Sequence, residues 1–236
     1  MCRDTEPKLK FLCRFLSPLR VTIDGPAGVG KTSVGGLLAA RMGYRFLDTG
    51  LMYRAFTLAV YRSGIRSDDN AAIGRLAAKI AIKVCTNSRF AQQILLDGED
   101  VSSELHLPVI DEAVSSVAAL SSVRATLAAE QRRFAVQGDV VIVGRDIGTI
   151  ILPSAEKKFF LTAAEGTRVR RRLLETQRLG RCLEATVARN VSERDTLDSS
   201  RKLSPLSPAD DAEVIDTEDL DLCQVIDELE RLVSSR

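Results

Sequence analysis

Eight consecutive residues near the amino end are the ones best suited to chemistry: Gly25, Pro26, Ala27, Gly28, Val29, Gly30, Lys31 and Thr32, with Ser33 following. The run fits the pattern of glycine, four variable residues, glycine, lysine and a hydroxyl residue, whose backbone N–H groups cradle phosphate oxygens. Glycine has no side chain to obstruct that approach, so Gly25, Gly28 and Gly30 are expected to serve it. Lys31 would reach the β and γ phosphates, and the Thr32 hydroxyl would face a Mg²⁺ ion. ATP or GTP with magnesium is the ligand this implies, and no Asn-Lys-x-Asp stretch of the guanine-reading kind is present.

A second feature is "RVRRRLLE" at residues 168–175, four arginines within five positions of a chain whose formal net charge is only +1. A charge run of this kind ordinarily marks a solvated helix face. Spacing of i, i+3 and i+4 puts Arg168, Arg171 and Arg172 on one stripe and turns Arg170 elsewhere, while Glu175 falls four residues after Arg171 as an expected pair. Ten acidic residues between Asp210 and Glu230, with no Lys or Arg among them, read as a solvated helix face and loop. His106 is the single histidine, and near Pro108 it reads as a surface loop residue. Asp48 suits either a water-mediated magnesium contact or a cap at a strand turn.

These groups need a scaffold, and the composition allows one. At 236 residues, 45% hydrophobic and 28% charged, the chain has the make-up of an ordinary globular protein. Its near balance of 33 basic and 32 acidic residues argues against a whole-chain polyanion binder. Five cysteines, at 2, 13, 85, 182 and 223, form no CxxC pair and point to reduced thiols in a cytoplasm. No apolar run approaches the roughly 18 residues of a spanning helix. Residues 1–19 read as an extension, too interrupted for a secretory signal.

Along the chain, a strand over Leu19–Ile23 enters the glycine loop and a helix; "YRFLDTG" is a strand ending at Asp48, followed by a helix closed by Gly64. Residues 71–120 read as an inserted α+β segment: a helix at "AAIGRLAAKI", two strands, "AIKVCT" and "FAQQILLDG", joined by "NSR", and a helix at "VIDEAVSSVAAL". A long helix then has Ser121 or Ser122 as cap and Gly138 as stop. "DVVIVGRD" has the continuous apolar run of a parallel strand covered on both faces, and "KKFFLTA" is another. The arginine-rich helix, a second charged helix to about Arg201, the loop "KLSPLSPAD", the strand "AEVIDT" and a final helix complete the order. Strands alternating with helices predict an α/β fold with a parallel sheet.

The segments "TIDGPAGVGKTSVGGLLA", "FLDTGLMYRA", "LDGEDVS", "VVIVGRDIGTIILPSAEKKFFLTA" and "RDTLDSSRKLSPLSPADDAEVIDT" are collinear. On them the chain resembles the bacterial cytidylate kinases, members of the nucleoside monophosphate kinases. The resemblance implies a P-loop parallel-sheet core at 20–50, 121–165 and 183–236, a monophosphate-binding insert at 51–120 and a helical lid at 166–182. It implies transfer of the γ-phosphoryl of ATP to CMP and dCMP with Mg²⁺. Arg54, Arg145, Arg194 and Arg201 would hold the acceptor phosphate, with Lys31, Arg145, Arg194 and Arg201 supporting transfer. Asp198 would accept from the ribose hydroxyls; Ser115, Arg124 and Asp146 would read cytosine; Thr49 and Tyr53 would line the pocket. Residues Gly25 to Ser33 with Arg168, Arg171 and Arg172 would hold ATP, the three arginines presenting together as the lid shuts. Small nucleotides, with no nucleic acid or membrane, and a monomeric state complete the expectation. Arg181 departs from the family pattern, where an aromatic would follow the lid glycine. The residues alone leave a kinase for another monophosphate such as UMP, or a non-catalytic nucleotide switch, as alternatives.

Overall fold

The structure, a computed structural model, describes residues 18–86, 92–178, 184–201 and 204–235. The "NSR" turn, Arg181 and most of the amino-terminal extension lie outside the described residues. Strand β1 (Arg20–Asp24) enters the glycine loop and α1 (Lys31–Met42); β2 (Arg45–Asp48) enters α2 (Thr49–Arg62). The insert continues as α3 (Asn70–Ala77), β3 (Ile82–Thr86), β4 (Gln92–Leu96), β5 (Glu99–Asp100) and α4 (Pro108–Ala118). Then come α5 (Ser121–Ala135), β6 (Val140–Val143), a π turn (Ile147–Ile151), β7 (Lys157–Thr162), α6 (Glu165–Arg178), α7 (Glu184–Ser200), β8 (Glu213–Asp216) and α8 (Leu222–Ser234).

The expected parallel sheet is present, in the order β2-β6-β1-β7-β8 with every pairing parallel. β1 lies between two strands that come much later in the chain, so its carboxyl end is a switch point, where ligands of open α/β sheets bind. One face is covered by α1 and α8, through Val34, Leu38, Val225 and Leu229 against Val21, Ile23 and Phe46. The other face carries α2, α5 and the insert, packed around Phe56, Leu127, Ile142 and Ile147. All four β6 residues are buried, as an apolar run between two covered faces requires. Apolar residues of the antiparallel β3-β4-β5 sheet, Ile94 and Leu96, join the cluster that holds Leu47 and Ile142. Among the described residues no helix is long and apolar enough to cross a membrane.

Several local expectations are corrected. α5 begins at Ser121 with Leu120 as its cap and no side-chain cap bond: the Leu120 carbonyl accepts from Arg124 N at 3.0 Å, while its apolar side chain packs on the core. α5 ends at Ala135, and Gly138, at φ +128, shapes the turn into β6 instead. Gly64 follows α2 in the left-handed conformation, as expected of a helix stop. Asp97 and Gly98 have φ of +49 and +92, the paired positive values of a tight hairpin turn, which explains the short strand β5 that periodicity overlooks. The acidic segment is more than solvated surface. Asp211 takes a salt bridge from Lys158, a buried cation on β7 that needs a counter-ion, at 2.7 Å, and Asp227 and Glu230 pair with Arg41.

Candidate active site

The glycine loop leaves the carboxyl end of β1 with Gly25, Gly28 and Gly30 at φ +150, +75 and +96. A Cβ at Gly25 would stand 2.3 Å from the Leu161 carbonyl oxygen, and one at Gly28 would stand 2.6 Å from that of Arg168. Gly30 has nothing within 4 Å. The first two glycines are therefore demanded by the packing of the loop on β7 and α6. Only at Gly30 would a Cβ meet open space, so packing adds a demand for glycine at 25 and 28 beside the expected one of ligand approach. Gly25 and Pro26 stand behind the cavity wall and offer their carbonyls to the Lys31 ammonium, each at 2.7 Å. Burial, and then nearby Arg145, push the Lys31 pKa well below its usual value. Thr32 Oγ1 donates to Asp48 Oδ2 at 2.5 Å, while Asp48 Oδ1 accepts from Gly50 N at 2.8 Å and caps α2. Asp48 thus acts as a cap with one oxygen and as a neighbour of the loop hydroxyl with the other.

A cavity of about 830 Å³ opens above this loop. Its wall includes Ala27 to Ser33 and every residue expected on the acceptor side: Thr49, Tyr53, Arg54, Ser115, Arg124, Arg145, Asp146, Arg194, Asp198 and Arg201. The four expected phosphate arginines arrive as two pairs, each gathered by one carboxylate. Arg145 Nε donates to Asp198 at 2.7 Å and Arg201 pairs with its other oxygen. Burial would raise the Asp198 pKa, but Arg145 and Arg201 outweigh it and hold the carboxyl below its usual range. Arg54 and Arg194 donate to Asp111 Oδ1 at 2.6 and 2.9 Å. Asp111 shows the same contest: burial raises it, and Arg54, Arg194 and Arg172 bring it lower. No motif marks Asp111, since its partners lie on α2, α6 and α7. Among the described residues, the buried Arg201 Nε has no protein hydrogen-bond partner, which leaves a donor for a ligand.

Arg124 and Asp146 form a buried ion pair, with Arg124 Nη1 also donating to the Ala118 carbonyl at 3.2 Å and its guanidinium 5.7 Å from the Tyr53 ring centre. The Thr49 hydroxyl is taken by the Val143 carbonyl at 2.9 Å. Asp24, at the end of β1, anchors the π turn behind Arg145 and Asp146, accepting from Ile147 N at 2.9 Å and Gly148 N at 2.7 Å. Burial raises its pKa from 3.8 to about 6, against the pull of those two N–H donors. A carboxyl that holds its proton more tightly when folded favours the fold most at low pH. Its contribution should fall by about 3 kcal/mol as pH rises from roughly 4 to 6. Denaturant unfolding at pH 4 and pH 7 should give a wild-type minus Asp24→Asn difference that changes in this direction, and a pH-independent difference would refute the assignment.

Arg168, Arg171 and Arg172 have separate partners here. Arg168 is buried and turned to Asp195 and the Ala27 carbonyl, outside the cavity wall. Arg171 donates to Thr217 Oγ1 and O at 2.8 and 2.6 Å, and Arg172 meets Asp111 at 3.3 Å. Arg171 and Arg172 line the cavity; exposed Arg170 does not. The helical stripe brings the three stems to one side, but carboxylates and carbonyls from different elements divide their heads. Glu175 pairs with Arg172 at 2.7 Å, three residues back, in place of the expected Arg171. His106 is half-buried in the cavity wall, its pKa lowered by burial and then by Arg54, so it is less a surface residue than its loop suggests.

A phosphate-binding loop at the switch point of a parallel sheet, faced across one cavity by guanidiniums from an insert and two late helices, defines a P-loop kinase-type protein. The fold agrees with that of a crystallised uncharacterized protein from Eubacterium ventriosum, at TM-score 0.51 and 16% identity over 93% of this chain and 99% of that one. The chain belongs to the cytidylate kinase family, whose model matches residues 21–235. It is 46% identical over 222 residues to the cytidylate kinase of Nocardia farcinica, covering 93% of this chain and 95% of that protein. Identity to the Mycobacterium avium cytidylate kinase is 47% over 219 residues, 92% and 95% of the two chains.

Proposed function

We propose that the protein transfers the γ-phosphoryl group of ATP to CMP and dCMP. A phosphate oxygen of the acceptor forms the new bond to the γ phosphorus, the β–γ bridging bond breaks, and ADP leaves. The acceptor phosphate is already anionic at neutral pH, so no general base is needed, and the chain's task is to hold two polyanions in line. The observation that carries this reading is the arrangement of Arg54, Arg145, Arg194 and Arg201 in one cavity with Lys31 and the glycine loop. Planar guanidinium forks suit phosphate oxygens and stay charged throughout.

In this reading Ala27 to Ser33 hold the ATP phosphates, and Arg171 and Arg172 close over them from α6. Ser115, Arg124 and Asp146 read cytosine, Asp146 accepting from the exocyclic amine, and Asp198 meets the ribose. Tyr53 and Thr49 shape the acceptor pocket. Thr32 Oγ1 and Asp48, adjacent oxygen donors at the loop, fit the hard ligand set that Mg²⁺ prefers. When bound, that ion neutralises charge on the β and γ oxygens. The protein works as a monomer in the cytoplasm on small nucleotides, without a nucleic acid or membrane partner.

Coupled ADP release with CMP, dCMP, UMP and AMP at equal concentration tests the proposal. Turnover is expected with CMP and dCMP well above UMP and AMP. Turnover confined to another monophosphate would overturn the cytosine assignment, and ATP binding without transfer to any acceptor would make the protein a nucleotide switch.

A further inference from the structure

We infer that Arg168 and Asp195 are positioning residues for the phosphoryl donor, whose ion pair grips the glycine loop at Ala27 and ties the α6–α7 hairpin to the loop's shape. The inference rests on the reading of this loop as the ATP site. Arg168 Nη1 donates to the Ala27 carbonyl at 3.1 Å and pairs with Asp195. Asp195 Oδ1 in turn accepts from Ala27 N at 3.2 Å. Both polar backbone groups of one loop residue are thus held by the two partners of one ion pair, Arg168 from α6 and Asp195 from α7. Arg168 Nε is fixed by the Ala163 carbonyl at 3.0 Å, and the residue is 7% exposed.

A second contact points the same way. The loop lies so close to α6 that a Cβ on Gly28 would be 2.6 Å from the Arg168 carbonyl oxygen. One residue of the lid helix therefore supports two successive loop residues, Ala27 through its side chain and Gly28 through its backbone. Arg168 does not line the cavity, so its influence on a triphosphate passes through the loop. Ala27 lies outside the strand and helix on either side, and without the clip its peptide groups would have to be ordered by the ligand. A loop ordered in advance lowers the cost of binding. The coupling is reciprocal: whatever orders the hairpin favours the donor site, and donor binding favours the ordered hairpin.

Full-length Arg168→Ala, Asp195→Ala and the double variant test this as a mutant cycle. Each single variant should weaken binding of a non-hydrolysable ATP analogue, measured without acceptor, by about tenfold. The double variant should be no weaker than the worse single one, because both remove the same clip. The KM for CMP should stay within about twofold of wild type, and Arg168→Lys, which keeps the charge, should recover part of the ATP affinity. Asp195→Asn, close in size and still able to accept from Ala27 N, gives an intermediate loss and serves if an alanine variant fails to fold. Independent, multiplicative losses, or an acceptor KM raised as much as that for ATP, would overturn the inference. Unchanged ATP affinity in the variants would defeat the clip alone; a wild-type protein that binds no ATP would defeat the loop assignment beneath it.

Discussion

Replacing Lys31 with alanine is expected to lower kcat by about 10³-fold at saturating CMP, the loss typical of removing a preorganised charge from a transition state. Lys31 is 8% exposed at the first residue of α1, held against the carbonyls of Gly25 and Pro26. Burial and Arg145 disfavour its ammonium form, and an arriving triphosphate reverses that balance, because an anion in a water-poor cavity interacts far more strongly than one in bulk solvent. The benefit grows as charge collects on the β–γ bridging oxygen, so the loss should fall mainly on kcat, with the KM for CMP little changed. The unfolding midpoint should hold or rise, since a desolvated cation is removed. Steady-state kinetics beside thermal unfolding read both quantities; activity within tenfold of wild type would take Lys31 out of the reaction.

Asp146→Asn should act on both recognition and stability. Asp146 is 4% exposed and Arg124 is 8% exposed, and they neutralise one another. With the carboxylate gone, Arg124 remains buried without its counter-ion, a change that costs about 3–5 kcal/mol in such sites. The amide also replaces an acceptor-only group with one that can donate, so the contact proposed for the cytosine amine no longer excludes a carbonyl at that position. The preference for CMP over UMP, as a ratio of kcat/KM values, should drop about 10- to 100-fold, the worth of one specific base contact. The assay belongs well below the lowered unfolding midpoint. An unchanged ratio in a folded variant would show that cytosine is read elsewhere.

Much of the fold could be read locally. The loop signature, the alternation of strands and helices, and the buried run at 140–143 each depend on neighbours in the chain, whose spacing repeats with the period of the element they form. Eight of the ten acceptor-side residues are also legible, because "LDTGLMYR", "GRDIGT" and "RDTLDSSR" carry them as short motifs, whereas Ser115 and Arg124 lie outside these and come from the resemblance alone; the structure brings all ten to one cavity wall. Local spacing does not mark Asp111, Asp195 or Asp24. Each works through partners far away in sequence, as Asp195 does with Ala27 across 168 positions, and a lone carboxylate has no period to betray it.

What the order of residues determined by itself was the set of elements and the kind of ligand, a phosphate, that the loop between β1 and α1 could take. Tertiary structure decided the partners. It split Arg168, Arg171 and Arg172 among Asp195, Thr217 and Asp111, and it made Gly25 and Gly28 obligatory through carbonyls of β7 and α6. The physical reason is that helical and strand spacing fixes where a side chain begins, whereas its charged end goes to whichever counter-charge or carbonyl the packed elements bring within about 3 Å.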